Sequence, residues 1–175
     1  MNLGQMLQTY TIGTAPRVDQ QFFARHSALV AWDLLGMYLV RHFPNNGGRY
    51  VVGQIREVAA YQGETGSSSE GILAAPGIIS VSRKYNQNLL DIATSAEGKP
   101  ACVTLRGAAF DFSGTVEVKG PGLLTRALNI DAQYNGDNIA HSSGLWIEGT
   151  VLPSEIKKRR NLSTYTKNCL GYYYI

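Results

Sequence analysis

The sequence is poor in charged residues, in cysteine and in long apolar runs. Charged residues make up 17% of the chain, and its two cysteines, Cys102 and Cys169, lie far apart. The absence of a CxxC pair or a Cys/His cluster argues against a zinc site, and a buried thiol is the default for Cys102 in its apolar surroundings. No apolar stretch is long enough to span a bilayer, and the N-terminus lacks the pattern of a signal peptide. We therefore expect a cytoplasmic protein without a membrane partner.

Common catalytic signatures are absent as well. The sequence contains no GxSxG elbow, no Walker A loop and no HExxH pair. Three histidines, His26, His42 and His141, are scattered, and each is better interpreted as a surface or satisfied residue than as a ligand. Serine hydrolases of the elbow type, P-loop NTPases and zincins are therefore not indicated.

What is present fits one α+β domain with a curved antiparallel sheet flanked by helices. The chain has 175 residues, 44% of them hydrophobic, which is enough for a sizeable core. We interpret residues 1–18 as a loose arm and residues 19–175 as the domain. Strand-like runs at 37–43 and 49–61 flank a Pro-Asn-Asn-Gly-Gly turn and predict a hairpin. Helices are predicted from Asp19, as N-cap, to Gly36, over 121–129, and as a short one from Pro153 over 153–160.

The charge balance permits a polyanionic partner without demanding one. Net charge is +3 and the isoelectric point is near 8.9. The densest basic run, 157–160, is interpreted as a solvated helix face. The Gly-Pro-Gly segment at 120–122, with Lys119 beside it, could hold a phosphate at a helix start, or it could be a plain turn that begins a helix.

The segment Ile-Arg-Glu-Val-Ala-Ala-Tyr at 55–61 reads as a strand. Alternation places Ile55, Glu57, Ala59 and Tyr61 on one face. That face offers an acid, a small gap and an aromatic ring. The alanine is either ordinary packing or the position of a carboxylate that chemistry would need.

The order of seven segments is more informative than any one of them. They are, in chain order, FFARHSALVAWDLLGMYLV, IREVAAY, PGIISVSRKY, ACVTLRGA, GPGLLTRALNI, LWIEG and YYYI. From about residue 20 to the end, the chain resembles the alkylpurine (3-methyladenine) DNA glycosylase family.

The resemblance implies a mechanism. Such enzymes flip a damaged purine out of the duplex, fill the gap with an inserted aromatic side chain and hydrolyse the N-glycosidic bond. A carboxylate activates the attacking water and stabilises the cationic sugar. The implied partner is double-stranded DNA with a damaged purine or an abasic site. We expect a monomer without a cofactor, in the cytoplasm or associated with the nucleoid.

The resemblance assigns roles to residues unevenly. The family's general base falls on Ala59, while Glu57 matches the preceding Glu of the family strand and Arg106 matches the Arg that helps to position the water. The residues implied to contact DNA are Tyr61 (stacking on the base), Asp91 (near the Asn that filters bases), Tyr85 (insertion), and Arg83, Lys84 and Lys119 (phosphates).

Several family positions differ in this chain. Glu70 stands where the family has a base-contacting His, Ser82 replaces a second stacking aromatic, and Leu123 replaces a lysine. A family segment before Pro76 is missing, and the turn at 160–162 departs from the family pattern. Several losses in one site suggest relaxed or redirected function.

Three hypotheses follow. The domain could bind DNA with weak or lost catalysis. It could instead be an active glycosylase that uses a displaced acid, Glu57, Glu70 or Asp91. It could also keep the fold to bind a protein or a small ligand. The plainest interpretation of Glu57 is a carboxylate satisfied by Arg106 or by backbone N–H groups.

Overall fold

The computed structural model describes the chain in six stretches, residues 10–63, 73–96, 98–111, 114–153, 157–161 and 169–174. Within them, nine antiparallel strands form one curved sheet and three short helices pack on it, so the predicted α+β architecture is confirmed. The strands are β1 (Tyr38–Phe43), β2 (Arg49–Gln62), β3 (Ile79–Lys84), β4 (Gln87–Ala93), β5 (Ala101–Asp111), β6 (Thr115–Lys119), β7 (Leu145–Glu148), β8 (Lys157–Asn161) and β9 (Cys169–Tyr174). The helices are α1 (Gln20–Phe23), α2 (Ser27–Leu34) and α3 (Pro121–Ala127).

The long strand β2 organises the sheet. The order is β3-β4-β5-β2-β1-β7, with β6 beside β5, β9 beside β2 and β8 beside β9. The predicted hairpin of β1 and β2 is confirmed, with Tyr38 opposite Gln54 at one end and Phe43 opposite Arg49 at the other. Its turn includes two glycines with φ near +66°, a conformation that glycine adopts without strain.

One face of the sheet carries the hydrophobic core. Helices α2 and α3 pack on this face, and their Val30 and Leu124 join Val58 and Leu105 of the central strands in one buried cluster. Because side chains alternate along a strand, the intervening residues of β2, β4 and β5 point to the opposite face. The residues singled out by the sequence lie mostly on that second face.

The segment predicted as one helix from Asp19 to Gly36 forms two helices. Asp19 is the N-cap as expected, since its Oδ1 accepts a hydrogen bond of 2.9 Å from the Phe22 N–H. His26 then adopts an extended conformation, and its Nδ1 accepts from the Ala28 N–H at 3.2 Å, which starts α2. The prediction of a single helix is therefore wrong, because the side chain of His26 caps the start of a second helix. In the described part of the chain, no helix has the length and apolarity needed to cross a membrane.

Part of the segment interpreted as a loose arm, residues 10–18, contacts the sheet. Glu148 of β7 accepts hydrogen bonds from the Tyr10 hydroxyl at 2.7 Å and from the Gly13 N–H at 2.8 Å. The Tyr10 ring also stacks on Tyr38 of β1, with 3.8 Å between ring centroids. The domain boundary expected at residue 18 stays a prediction.

The short helix predicted over 153–160 is wrong for residues 157–160. These residues form β8, in which Lys157 lies opposite Tyr174 of β9, and the pairing covers an edge of β9 that a helix would leave open. Lys157 is 5% exposed rather than solvated, with its Nζ 5.7 Å from the centroid of the Trp32 ring. Burial lowers the pKa of Lys157, and among the described residues its Nζ has no hydrogen-bond partner.

Candidate functional site

A row of residues crosses the middle of the sheet on the face away from the core. In the strand register, Asp91 of β4 lies opposite Thr104 of β5, and Thr104 lies opposite Ala59 of β2. Directly opposite residues point to the same side of a sheet. Val58, next to Ala59, belongs to the core, so the row faces the other way. The strand register thus places Ala59 and Asp91, two positions to which the resemblance assigns separate roles, on either side of Thr104 in one row.

Ala59 stands at the position that the resemblance assigns to the general base. Its exposed fraction is 0%, and Gly171 of β9 is its neighbour on the side opposite Thr104. A methyl group neither accepts a proton nor carries charge. Position 59 therefore cannot activate water directly.

The regular alternation of β2 is interrupted next to this row. An extra residue, Arg56, bulges from β2, and a second extra residue, Arg106, bulges from β5 across from it. As a result Ile55 lies in the hydrophobic core together with Val58, three positions further on. The prediction that Ile55 shares a face with Glu57 is wrong, because it assumed an unbroken period of two.

Glu57 and Arg106 form an ion pair beside the row. The Arg106 Nε donates to the Glu57 Oε1 at 3.2 Å, and both side chains are partly buried, with 26% and 15% exposed. The interpretation of Glu57 as a carboxylate satisfied by Arg106 is confirmed. The Cα atoms of Glu57 and Ala59, two residues apart on a strand, are separated by about 6–7 Å. The carboxylate that is present is thus displaced from position 59 and held by a guanidinium.

Asp91 is a buried carboxyl group held by two hydroxyls. The Ser82 Oγ donates to its Oδ2 at 2.8 Å, and the Thr104 Oγ1 donates to its Oδ1. Burial raises the pKa of Asp91, and these two hydrogen bonds oppose the shift in part. The charge of Lys84 also lowers it. Lys84 lies on the same face as Asp91, because Ser80, four residues before it on β3, is directly opposite Asp91.

Tyr61 lies at the end of β2, two residues beyond Ala59 and opposite Cys102 of β5. Its side chain is half-buried, and Cys102 is buried. Alternation puts the ring on the same side as Ala59. A ring there could stack on a planar ligand, as the resemblance implies.

Tyr85 occupies the tip of the hairpin formed by β3 and β4. Tyr85 and Asn86 form its two-residue turn with φ of +50° and +61°, the pattern of a type I′ turn that suits the twist of a hairpin. Tyr85 is 94% exposed. The prediction that it lies on an exposed loop is confirmed, and a position in the core is ruled out. Its insertion into DNA stays a prediction.

The three cations assigned to phosphates lie around this hairpin and around the start of α3. Arg83 and Lys84, the last residues of β3, are both exposed and project to opposite faces because they are consecutive in a strand. Lys119 ends β6 before α3, with 77% of its side chain exposed. Its Nζ lies 2.9 Å from Glu117, and that hydrogen bond raises the pKa of Lys119.

Sequence reasoning missed the two hydroxyls that hold Asp91. From the sequence, Ser82 was interpreted only as the replacement of a stacking aromatic residue, and no role was predicted for Thr104. A signal existed, because the two-residue turn fixes the register of β3 and β4 and sets Ser82 diagonally next to Asp91. Glu70 lies outside the described residues. Within the part of the chain that the structure describes, no group of three or more His, Cys, Asp or Glu residues could hold a metal ion.

Comparison with known proteins gives the class to which this fold and this site belong. Residues 21–167 match the family model described as Methylpurine-DNA glycosylase (MPG). The match covers most of the chain, and the chain therefore belongs to this family.

Individual relatives agree with the assignment. A protein of Synechococcus sp. (strain JA-3-3Ab) is 32% identical over 155 residues, which cover 74% of this chain and 78% of the relative. A protein of Prosthecochloris aestuarii (strain DSM 271 / SK 413) is 33% identical over 161 residues, with 78% and 76% covered. Both carry the name "Putative 3-methyladenine DNA glycosylase".

Proposed function

We propose that this protein binds duplex DNA at damaged purines or abasic sites and hydrolyses the N-glycosidic bond weakly or not at all. The observation that carries the proposal is Ala59, a fully buried methyl group at the position of the family's general base. Help from a general base is typically worth a factor of about a hundred to ten thousand in rate. A negative charge facing the cationic sugar adds to that factor.

The binding half of the proposal rests on the hairpin and on the second face of the sheet. Tyr85 is the proposed wedge, since its ring projects into solvent from a rigid two-residue turn. Tyr61 is the proposed stacking surface for a flipped base, and Asp91 the proposed contact to the edge of that base. Lys84 and Lys119 are proposed to meet phosphates. We further propose that the protein acts as a monomer without a cofactor, in the cytoplasm or at the nucleoid.

A second candidate function is an active glycosylase in which Glu57 replaces the missing base. Glu57 lies two residues before Ala59 on β2, so alternation puts both on one face, and a carboxylate there could orient water. Two observations weigh against it. The Cα of Glu57 is displaced from position 59 by about 6–7 Å, and the Glu57 carboxylate is engaged by Arg106. The third hypothesis, a protein- or ligand-binding domain, would require that abasic DNA is not bound.

A base-release assay tests the proposal. A duplex oligonucleotide with one alkylated purine is incubated with wild type, Ala59→Glu, Ala59→Gln and Glu57→Gln, and abasic product is revealed by alkaline cleavage. We expect little or no release by wild type, partial release by Ala59→Glu and none by Ala59→Gln, which has similar size without charge. The partial rescue reflects the absent His and second stacking aromatic.

Position 59 is completely buried, so a carboxylate there carries a desolvation penalty of up to several kcal/mol. Thermal melting must therefore show that each variant is folded before its rate is interpreted. Fast release by wild type that disappears in Glu57→Gln would refute lost catalysis and make Glu57 the base. Absence of binding to abasic duplex by the folded wild type would refute the DNA-binding half.

A further inference from the structure

The hairpin that carries Tyr85 separates two sets of cations. Lys84 lies on the face of Asp91, because Ser80, four residues before Lys84 on β3, is opposite Asp91, and Asp91 belongs to the row that includes Ala59. Arg83 precedes Lys84 in the strand and projects to the opposite side, toward α3. A duplex entered by Tyr85 would therefore meet positive charge on both flanks of the wedge.

On the Arg83 side, a polar cleft of about 370 Å³ lies between the hairpin and α3. Arg83 and Arg126 line it together with the amides Asn88 and Asn129 and the carboxylate Asp131. The Asp131 Oδ1 already accepts from the Gln133 N–H at 2.9 Å. Two guanidinium groups outnumber the one carboxylate, so the cleft carries net positive charge and favours an anion, and a phosphodiester matches the bidentate geometry of Arg.

The walls of this cleft are fixed relative to Tyr85. The Thr125 Oγ1 of α3 donates to the Asn88 backbone oxygen at 2.8 Å, and the Asn88 Nδ2 donates to the Ile130 carbonyl at 3.1 Å. Gly122 lies so close to Gln87 that a Cβ would be only 1.9 Å from the Gln87 Oε1. These contacts join the start of β4, next to the Tyr85 turn, to α3 and to the residue Ile130 after it, so the cleft is held at a defined position beside the wedge.

We propose that this cleft binds a backbone phosphate of the strand complementary to the one that carries the damaged nucleotide, with Arg126 and Arg83 as its ligands. The inference rests on the proposed function. If the flipped nucleotide enters the face of Ala59 and Asp91, its own strand runs along the Lys84 side of the wedge. The other strand then lies on the Arg83 side, next to the cleft.

The test measures binding of the full chain by fluorescence anisotropy as a function of salt. The probes are an abasic-site duplex and the lesion strand alone as single-stranded DNA. Arg126→Gln should weaken duplex binding about 3- to 10-fold and reduce the slope of log K against log salt by about one. It should leave single-strand binding unchanged. The matched control is Arg49→Gln, which removes an exposed charge at the far end of β2, at the β1–β2 turn.

A second variant, Asp131→Asn, should change duplex affinity in the opposite direction and does not depend on whether Arg126→Gln folds. Asparagine keeps the oxygen that caps the 3-10 turn at Ala132–Tyr134 but removes the negative charge, so duplex affinity should rise. Equal effects of Arg126→Gln on duplex and single strand, or the same effect as Arg49→Gln, would overturn the cleft assignment while the proposed function stands. An unchanged duplex affinity of Asp131→Asn would also overturn the cleft assignment. This second variant keeps the assignment testable if Arg126→Gln does not fold. A wild type that binds neither probe would instead refute the proposed function itself.

Discussion

Replacing Tyr85 with alanine should separate DNA affinity from stability. The ring is 94% exposed, so its removal should change the free energy of unfolding by less than about 0.5 kcal/mol. Alanine keeps the Cβ, and with it the cost of a non-glycine residue at φ +50°. If the ring stacks between bases, its loss removes about 1–3 kcal/mol of binding free energy, or about 5- to 150-fold in affinity.

The assay compares binding of an abasic-site duplex with thermal melting of the same preparations. Tyr85→Phe keeps the ring and should bind like wild type. Tyr50→Ala is the control for loss of an exposed ring elsewhere, because Tyr50 is 50% exposed and lies on the β1–β2 hairpin rather than on the Tyr85 turn. Its melting temperature is compared as well, since Tyr50 stacks on His42. Equal losses for Tyr85→Ala and Tyr50→Ala, or undiminished affinity of Tyr85→Ala, would refute the wedge.

Two further predictions concern stability and pH. Burial raises the pKa of Asp91 in the folded state, so its charged form destabilises the protein at neutral pH. Asp91→Asn should therefore raise Tm at neutral pH. This increase in Tm should become smaller as pH falls through the raised pKa of Asp91. For Glu148, burial raises the pKa but hydrogen bonds from Gly13, Trp146 and Tyr10 outweigh it, and the pKa is lowered. The stability that Glu148 contributes is present above its ordinary pKa and is lost as pH falls through the lowered one. The amide of Glu148→Gln cannot accept hydrogen bonds from all three donors, so this variant should lower the free energy of unfolding at neutral pH by about 2–3 kcal/mol. Residues 10–18 should become accessible to protease, and Tm should depend less on acid pH. An unchanged cleavage pattern would contradict this prediction.

The hairpin of β1 and β2 was predictable because its information is local. Two glycines in sequence supply the turn, and the apolar runs on either side supply the strands. The capping of α1 by Asp19 was predictable for the same reason, since a short side chain before a helix can reach the next amides. The exposure of Tyr85 was also expected, although the family resemblance rather than composition pointed to it.

Apart from the helix break at His26, which a local cap causes, the errors arose where contacts distant in sequence decide the local structure. The basic run 157–160 has helical composition, yet pairing with β9 makes it a strand. The alternation of Ile55 with Glu57 failed because the bulge at Arg56 is matched by one on β5, and neither bulge is visible in its own strand. The polar contacts of Asp91 likewise come from β3 and β5, so no inspection of β4 alone could find them.

The two bulges beside the site compensate each other in the pairing register of β2 and β5. Ile55 lies opposite Ala108 before them and Val58 opposite Leu105 after them, which is the same pairing frame. Deleting Arg56 alone would leave Ile55, Glu57 and Val58 in regular alternation, but the extra residue Arg106 on β5 would then be uncompensated and would disturb the pairing of the two strands beside the site. Deleting Arg56 and Arg106 together would remove both extra residues, and Ala59 would still lie opposite Thr104. We therefore expect loss of one bulge residue to disturb the strand pairing next to position 59, and loss of both to leave the pairing of position 59 in place.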